Sequence, residues 1–337
     1  MRKRQTAARV LCGGIFFAVA FGSGAQARAW LTIDLPGFVQ GTLSPIAING
    51  NNTIVGIYSN SDGSTPSFVR TADGALTTLD LSPGASTAVS DINAQDDIVG
   101  TIADKSGNEQ GFLRAADGTV TYFSVGTSPY MTATSINDGD QIAGDYLVLP
   151  DNVQYGFIRE PDGTVQTFTA PDGGGVNVNA INNRGVVAGT YSASHGFLRG
   201  IGGKMTSFDV VSGARSVQVV GLTNGGVVFG NYTDSSRHSH GFLRQTDGTI
   251  VIIDDPQSTT QTKIASMNEN GIIVGLYDSV YSFARSPAGQ FVDLNAPLAA
   301  RGTSMSCVGP NGKMVGKYFD NTSTPHLVRA NAAVTGF

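Results

Sequence analysis

The residues here whose types could do chemistry are four histidines and a recurring set of carboxylates. His238-Ser239-His240 is the nearest thing to a metal-ligating pair, and a third ligand would have to come from elsewhere in the fold. Otherwise His238 and His240 are loop polarity, as are His195 and His326. Acidic residues recur at one point of a repeated segment, at Asp104, Asp234, Asp278 and Asp320, with Asn60 in the matching place. Oxygen ligands at such positions could hold Ca2+, the one cofactor the sequence leaves open. The commoner role of Asx side chains at strand ends is to hydrogen-bond the turn backbone.

Other reaction classes find no anchor. There is no Gly-x-Ser-x-Gly elbow, no His-Glu-x-x-His pair and no phosphate-cradling Gly-Lys-Ser/Thr loop. Cys307 occupies an apolar place in a strand-like segment, where a buried cysteine acts as a small hydrophobe rather than a nucleophile. Acidic pairs assembled from distant parts of the chain leave a hydrolase or lyase open as an alternative.

Positioning any such group falls to a repeat. A glycine after a short apolar pair recurs at Gly56, Gly100, Gly144, Gly189, Gly230, Gly275 and Gly316. Seven residues earlier lies Asn49, Asn93, Asn137, Asn182 or Asn268, with Thr223 and Gly309 in the remaining units. Two residues later lies a tyrosine in six of the seven. Six units then carry Phe-x-Arg, from Phe68/Arg70 to Phe283/Arg285, and the seventh reads Leu327-Val328-Arg329. An Asp-Gly turn follows in four units.

Each unit of about 44 residues reads as four short strands, A to D, because Asn, Asp and Gly tolerate the positive φ of tight hairpin turns. Four strands at this period predict an all-β, seven-bladed β-propeller of four-stranded antiparallel blades. An open β-solenoid is the competing architecture. Trp30–Gly37 resembles a strand D without its A, B and C, and Val334–Phe337 a clipped one. The N-terminal strand is therefore expected to complete the last blade and remove a sheet edge.

Ahead of the repeats, Arg2, Lys3, Arg4 and Arg9 precede an apolar run over Val10–Phe21 and the small-residue site Ala25-Gln26-Ala27. This predicts a signal peptide over 1–27, with 28–337 as one propeller domain in the periplasm or outside the cell. No membrane span is expected after cleavage. The remainder holds 17 basic and 26 acidic residues, a net of −9, which argues against nucleic acid as a partner. Cys307 is then the only cysteine, so no internal disulfide can staple the fold. Gly makes up 44 of 337 residues, nearly twice the ordinary ~7%, as many tight turns require.

The pattern Ile-Asn-x-x-Gly-x-Val-Val-x-Gly-x-Tyr, His-Gly-Phe-Leu-Arg and Asp-Gly-Thr, seen at Ile181–Tyr191, His195–Arg199 and His240–Thr249, resembles the bacterial extracellular HAF-type repeat. The resemblance covers nearly all of 28–337. It implies an exported repeat protein and brings no catalytic residues with it.

The repeated arginines could form a ring for an anionic ligand. The alternative is that each lies along its own Phe and pairs with a nearby Asp. In a four-strand meander the A–B and C–D turns share one end of the ring, and the B–C and D–A connections share the other. The first set repeats closely and the second varies, so binding is expected at the varied end, near the central channel. The reading is a non-enzymatic protein that binds an envelope glycan or protein there. A purely structural or adhesive module is the further alternative.

Overall fold

The computed structural model describes residues 30–33, 43–59, 64–82, 86–296 and 298–331. The expected signal segment, Asn60 and Val334–Phe337 lie outside them. The described residues form twenty-eight strands and no helix, grouped into seven four-stranded antiparallel sheets. Each sheet is a simple A–B–C–D meander, and the seven stand as blades around a central axis: a seven-bladed β-propeller. In blade 7, Thr303–Val308, Lys313–Phe319 and Pro325–Asn331 supply strands A to C. Its fourth strand is Trp30–Ile33, registered from Trp30 opposite Ala330 to Ile33 opposite Leu327. The chain therefore closes its own ring, which an open solenoid would not do.

There is no single central core. Seven apolar clusters each join two neighbouring blades. Val55, Val69 and Leu79 of blade 1, for example, pack with Val89, Ile98 and Phe112 of blade 2. The strand C phenylalanines Phe68, Phe112, Phe157, Phe197, Phe242 and Phe283 are fully buried at these joints. Burying each is worth roughly 1.5–3 kcal/mol.

Two repeated residues owe their type to this packing. The glycine of strand B lies directly opposite the Phe of strand C, as Gly144 does opposite Phe157. A Cβ on Gly144 would meet the Thr132 carbonyl oxygen at 2.0 Å and the Phe157 ring at 2.8 Å. The repeated Asn is a staple between blades. The Asn182 Oδ1 accepts the backbone N–H groups of Arg184 and Val186, closing its own A–B turn at 3.1 and 3.0 Å. Its Nδ2 donates to the Thr223 carbonyl of the next blade at 3.1 Å. Asn49, Asn93, Asn137 and Asn268 donate forward in the same way. In the same turns the fourth residue before the anchor glycine has positive φ throughout: Asn52, Asp96 and Asp140, then Gly185, Gly226, Gly271 and Gly312.

The arginines correct the sequence reading. Among the described residues none of them closes an ion pair with Asp. Arg159, Arg199 and Arg244 instead place their guanidinium groups over Phe123, Phe168 and Phe208 of the preceding blade, at 5.1, 4.9 and 5.1 Å. Arg285 lies over Phe291 of its own blade at 5.6 Å. The turn carboxylates Asp117, Asp162 and Asp247 feel Arg114, Arg159 and Arg244 only as a weak attraction without a closed ion pair. These are structural cation–π contacts, and a partly desolvated guanidinium gains most from them. Nor are there seven equivalents. In blade 7, Gly316 pairs with Val328 and Met314 with Ala330, so Arg329 is one residue out of register and lies on the other face. Val328 is too small to fill the ring's place, and Met305 brings its sulfur there instead.

Candidate functional site

The varied end is built from turns whose carboxylates are largely committed to the backbone. Asp104 Oδ1 accepts the N–H groups of Ser106 and Asn108 at 2.7 and 2.9 Å. Asp234 Oδ1 accepts that of His238 at 2.8 Å. Asp320 Oδ1 accepts those of Thr322 and Thr324 at 2.8 and 2.9 Å, and the Thr322 hydroxyl, followed by the Thr324 N–H, pulls its carboxyl down to about 2. Asp278 reaches further: it accepts from Thr259, Thr260 and Gln261 and so pins the preceding D–A connection. These hydrogen bonds hold its carboxyl far below the usual range against the opposing cost of burial. The four candidate acids therefore sit in four different blades, each shaping a turn. Among the described residues no group of three or more His, Cys, Asp or Glu is arranged to hold a metal ion.

His238 and His240 do come together, around Asp234. Asp234 Oδ2 is 3.9 Å from His238 Nδ1 and 3.6 Å from His240 Nε2. The Asp234 carboxyl is lowered first by the His238 N–H and then by the two imidazoles. The second acid is one the sequence reading missed: Asp254 Oδ1 lies 2.9 Å from His240 Nδ1. In blade 4 Asp209 takes the same part with His195, at 2.6 Å.

Beneath these pairs runs a pattern that involves most of the blades. The repeated tyrosine faces an aromatic or imidazole ring across strands B and C. Tyr191–His195, Tyr232–His240, Tyr277–Tyr281 and Tyr318–His326 stack with centroids 5.1, 4.9, 5.0 and 4.9 Å apart. Tyr146–Tyr155 is tilted, at 5.7 Å. Five consecutive blades thus carry a ring pair at the B–C end, and the outer ring Tyr281 is 48% exposed. The Tyr277 hydroxyl donates to Asp293 at 3.3 Å, and burial, helped by that carboxylate, pushes it up to about 12. It therefore stays a donor.

A cavity on the axis lies apart from the varied end. Strand A of every blade has a bulge, nine to ten residues before the anchor glycine. The bulged residues and their successors line a space of about 320 Å3 on the axis. Because it is lined by the last residues of strand A, this space lies toward the uniform A–B end rather than the varied one. None of the sequence candidates lines it. It is polar over blades 2 to 4, with Ser90, Asp91, Thr134, Ser135 and Asn179, and mixed opposite, where Ile46, Val220, Leu222 and Met267 stand beside Ser266 and Ser306. Burial pushes the Asp91 carboxyl up to about 6, against three hydrogen bonds that favour its charge. Cys307 also reaches this wall, and burial pushes its thiol up to about 12, so it is not a thiolate. The missed signal was there to read: these two positions change from blade to blade while the residues around them repeat.

No family profile matches this chain, and no curated protein matches it. Solved structures do. The chain is similar to a catalytically inactive virginiamycin B lyase from Staphylococcus aureus with quinupristin (TM-score 0.63, 10% identity, 90% of this chain and 99% of that one). It is similar to the β-propeller domain of the Trilobed protease from Pyrococcus furiosus, described as having an open velcro topology (TM-score 0.63, 10% identity, 87% and 96%). It is also similar to U3-55K (TM-score 0.59, 9% identity, 90% and 98%). At such identities the likeness is one of fold alone, and a fold does not fix a function.

Proposed function

We propose that this protein is an exported binding module that engages a neutral glycan of the cell envelope through the varied end of its propeller. The observation that carries this is the run of ring pairs in blades 3 to 7, with carboxylates beside them. Stacked aromatic faces receive the C–H faces of sugar rings, and flanking acids accept hydroxyl protons. The rings are held in place by strand pairing, so little ordering is needed on binding. Resemblance to an exported repeat favours the envelope as the location.

A second reading, a lyase or hydrolase, draws on one specific arrangement. His240 lies between Asp254 and Asp234 and could act as a general base oriented by a carboxylate. Ring pairs over five blades fit binding better than one histidine fits catalysis.

The test is binding of the purified protein to glycan arrays and envelope fractions, with and without Ca2+. Glycan binding that falls by about tenfold or more in Tyr281→Ala and His240→Ala, at unchanged melting temperature, supports the proposal. Binding that survives both variants, or none to any glycan, overturns it. Loss in His240→Ala with turnover of the bound glycan by the wild type would select the enzymatic reading.

A further inference from the structure

The strongest unassigned feature is the carboxylate on the axis. The second bulge residue of strand A latches successive blades. Ser135 Oγ accepts the Ile181 N–H at 3.4 Å, and Ser266 Oγ accepts the Val308 N–H at 3.3 Å. Asp91 Oδ2 does the same to the Ile136 N–H at 3.1 Å. A hydroxyl therefore suffices for this latch, and the charge on Asp91 is surplus to it.

Nothing nearby balances that charge. Asp91 accepts from the Ser135 hydroxyl at 2.8 Å and the Ile92 N–H at 2.8 Å, both neutral donors. No Lys, Arg or His is among the described residues that line the cavity. The neighbouring charge it feels is Asp138, of the same sign. Two blades on, Asn179 has its Oδ1 buried and without a hydrogen-bond partner. A desolvated carboxylate without a countercharge and a buried carbonyl without a donor are each unfavourable.

We propose that the axial cavity binds a small organic ammonium ion. Its N–H groups donate to Asp91, and the Asn179 side chain and the hydroxyls of Ser90 and Thr134 lie on the same arc. Its carbon skeleton lies on Ile46, Val220 and Met267 opposite. The volume is that of about ten water molecules, enough for a short alkylamine and too small for an oligosaccharide. A bare divalent ion fits less well: Ca2+ takes six to eight oxygens, and one carboxylate with one amide supplies few of them. This site is at the opposite end from the glycan face and stands or falls independently of it.

The experiment is calorimetric titration of the purified protein with butylammonium at pH 7.5, beside tetramethylammonium, butanol and Ca2+. One equivalent of butylammonium binding, and none of butanol, is expected. Asp91→Ser keeps the latch that Ser135 and Ser266 make elsewhere, so it should fold and lose about tenfold or more in affinity. Asn179→Leu should weaken binding several-fold and leaves Asp91 in place. Butylammonium affinity unchanged in both variants overturns the proposal. So does an absence of butylammonium binding, whether or not Ca2+ binds.

Discussion

A repeated asparagine makes three hydrogen bonds at once in this ring, through two atoms. Its oxygen caps two N–H groups of its own turn and its amide nitrogen reaches the next blade. Asn182→Ala removes all three bonds and leaves buried partners unmet, which costs on the order of 1–3 kcal/mol. Urea unfolding should show the loss, and an unchanged midpoint would deny the staple role. Thr223 and Gly309 show the natural alternative. Thr223 keeps a turn-closing bond to the Val227 N–H at 3.0 Å but has no amide to send forward. At that joint Asn231 compensates by exchanging two bonds with Ile264, at 3.0 and 2.7 Å. Asp91 carries a second prediction at this scale. Its carboxyl is raised in the folded state, so the native protein holds that proton more tightly than the unfolded chain does. Stability from this group is therefore present below about pH 4 and lost as pH rises through about 6. The melting temperature of Asp91→Ser should gain on that of the wild type between pH 4.5 and 7.5. A wild type that gains on the variant over that range would reverse the assignment.

Strand B can approach strand C only through glycine. Gly189 opposes Phe197, and a Cβ there would sit 2.1 Å from the Asn177 oxygen and 2.7 Å from the Phe197 ring. Gly189→Ala should cost about 1–3 kcal/mol or more, because backbone on one side and a ring locked between blades on the other leave no direction to relax. Thermal melting checks this, and a variant as stable as the parent would show that the blade has room. The aromatic pairs at the strand ends belong to the same scale. Register brings Tyr191 opposite His195 and Tyr232 opposite His240, and cross-strand neighbours at that distance stack.

Closure is the property of the whole ring. Trp30–Ile33 is the fourth strand of blade 7, and Ile33 is buried in the joint between blades 7 and 1 with Leu327 and Leu43. Trp30, the one tryptophan of the sequence, packs against the joint between blades 6 and 7. Ile33→Asp places a charge in that joint and should unzip the closing strand first. Trp30 emission should then shift red at lower denaturant than the far-ultraviolet signal changes. Coincident transitions at the wild-type midpoint would mean that the strand does not hold the ring together.

The repeat, its four strands and its closing strand were all readable in the residues, because strand alternation, turn chemistry and period are local and recur seven times. The turn roles of Asp104, Asp234 and Asp320 were equally local, since their partners lie within four residues. Three things were not. Arg159 finds Phe123 thirty-six residues away, because the blades pack face to face and the nearest aromatic surface belongs to the neighbour. Arg329 misses its place through a one-residue slip in register, which reverses the face of every side chain in the strand. Asp91 and Asn179 share a cavity only because seven bulges point at one axis, and an axis exists only once the ring is closed.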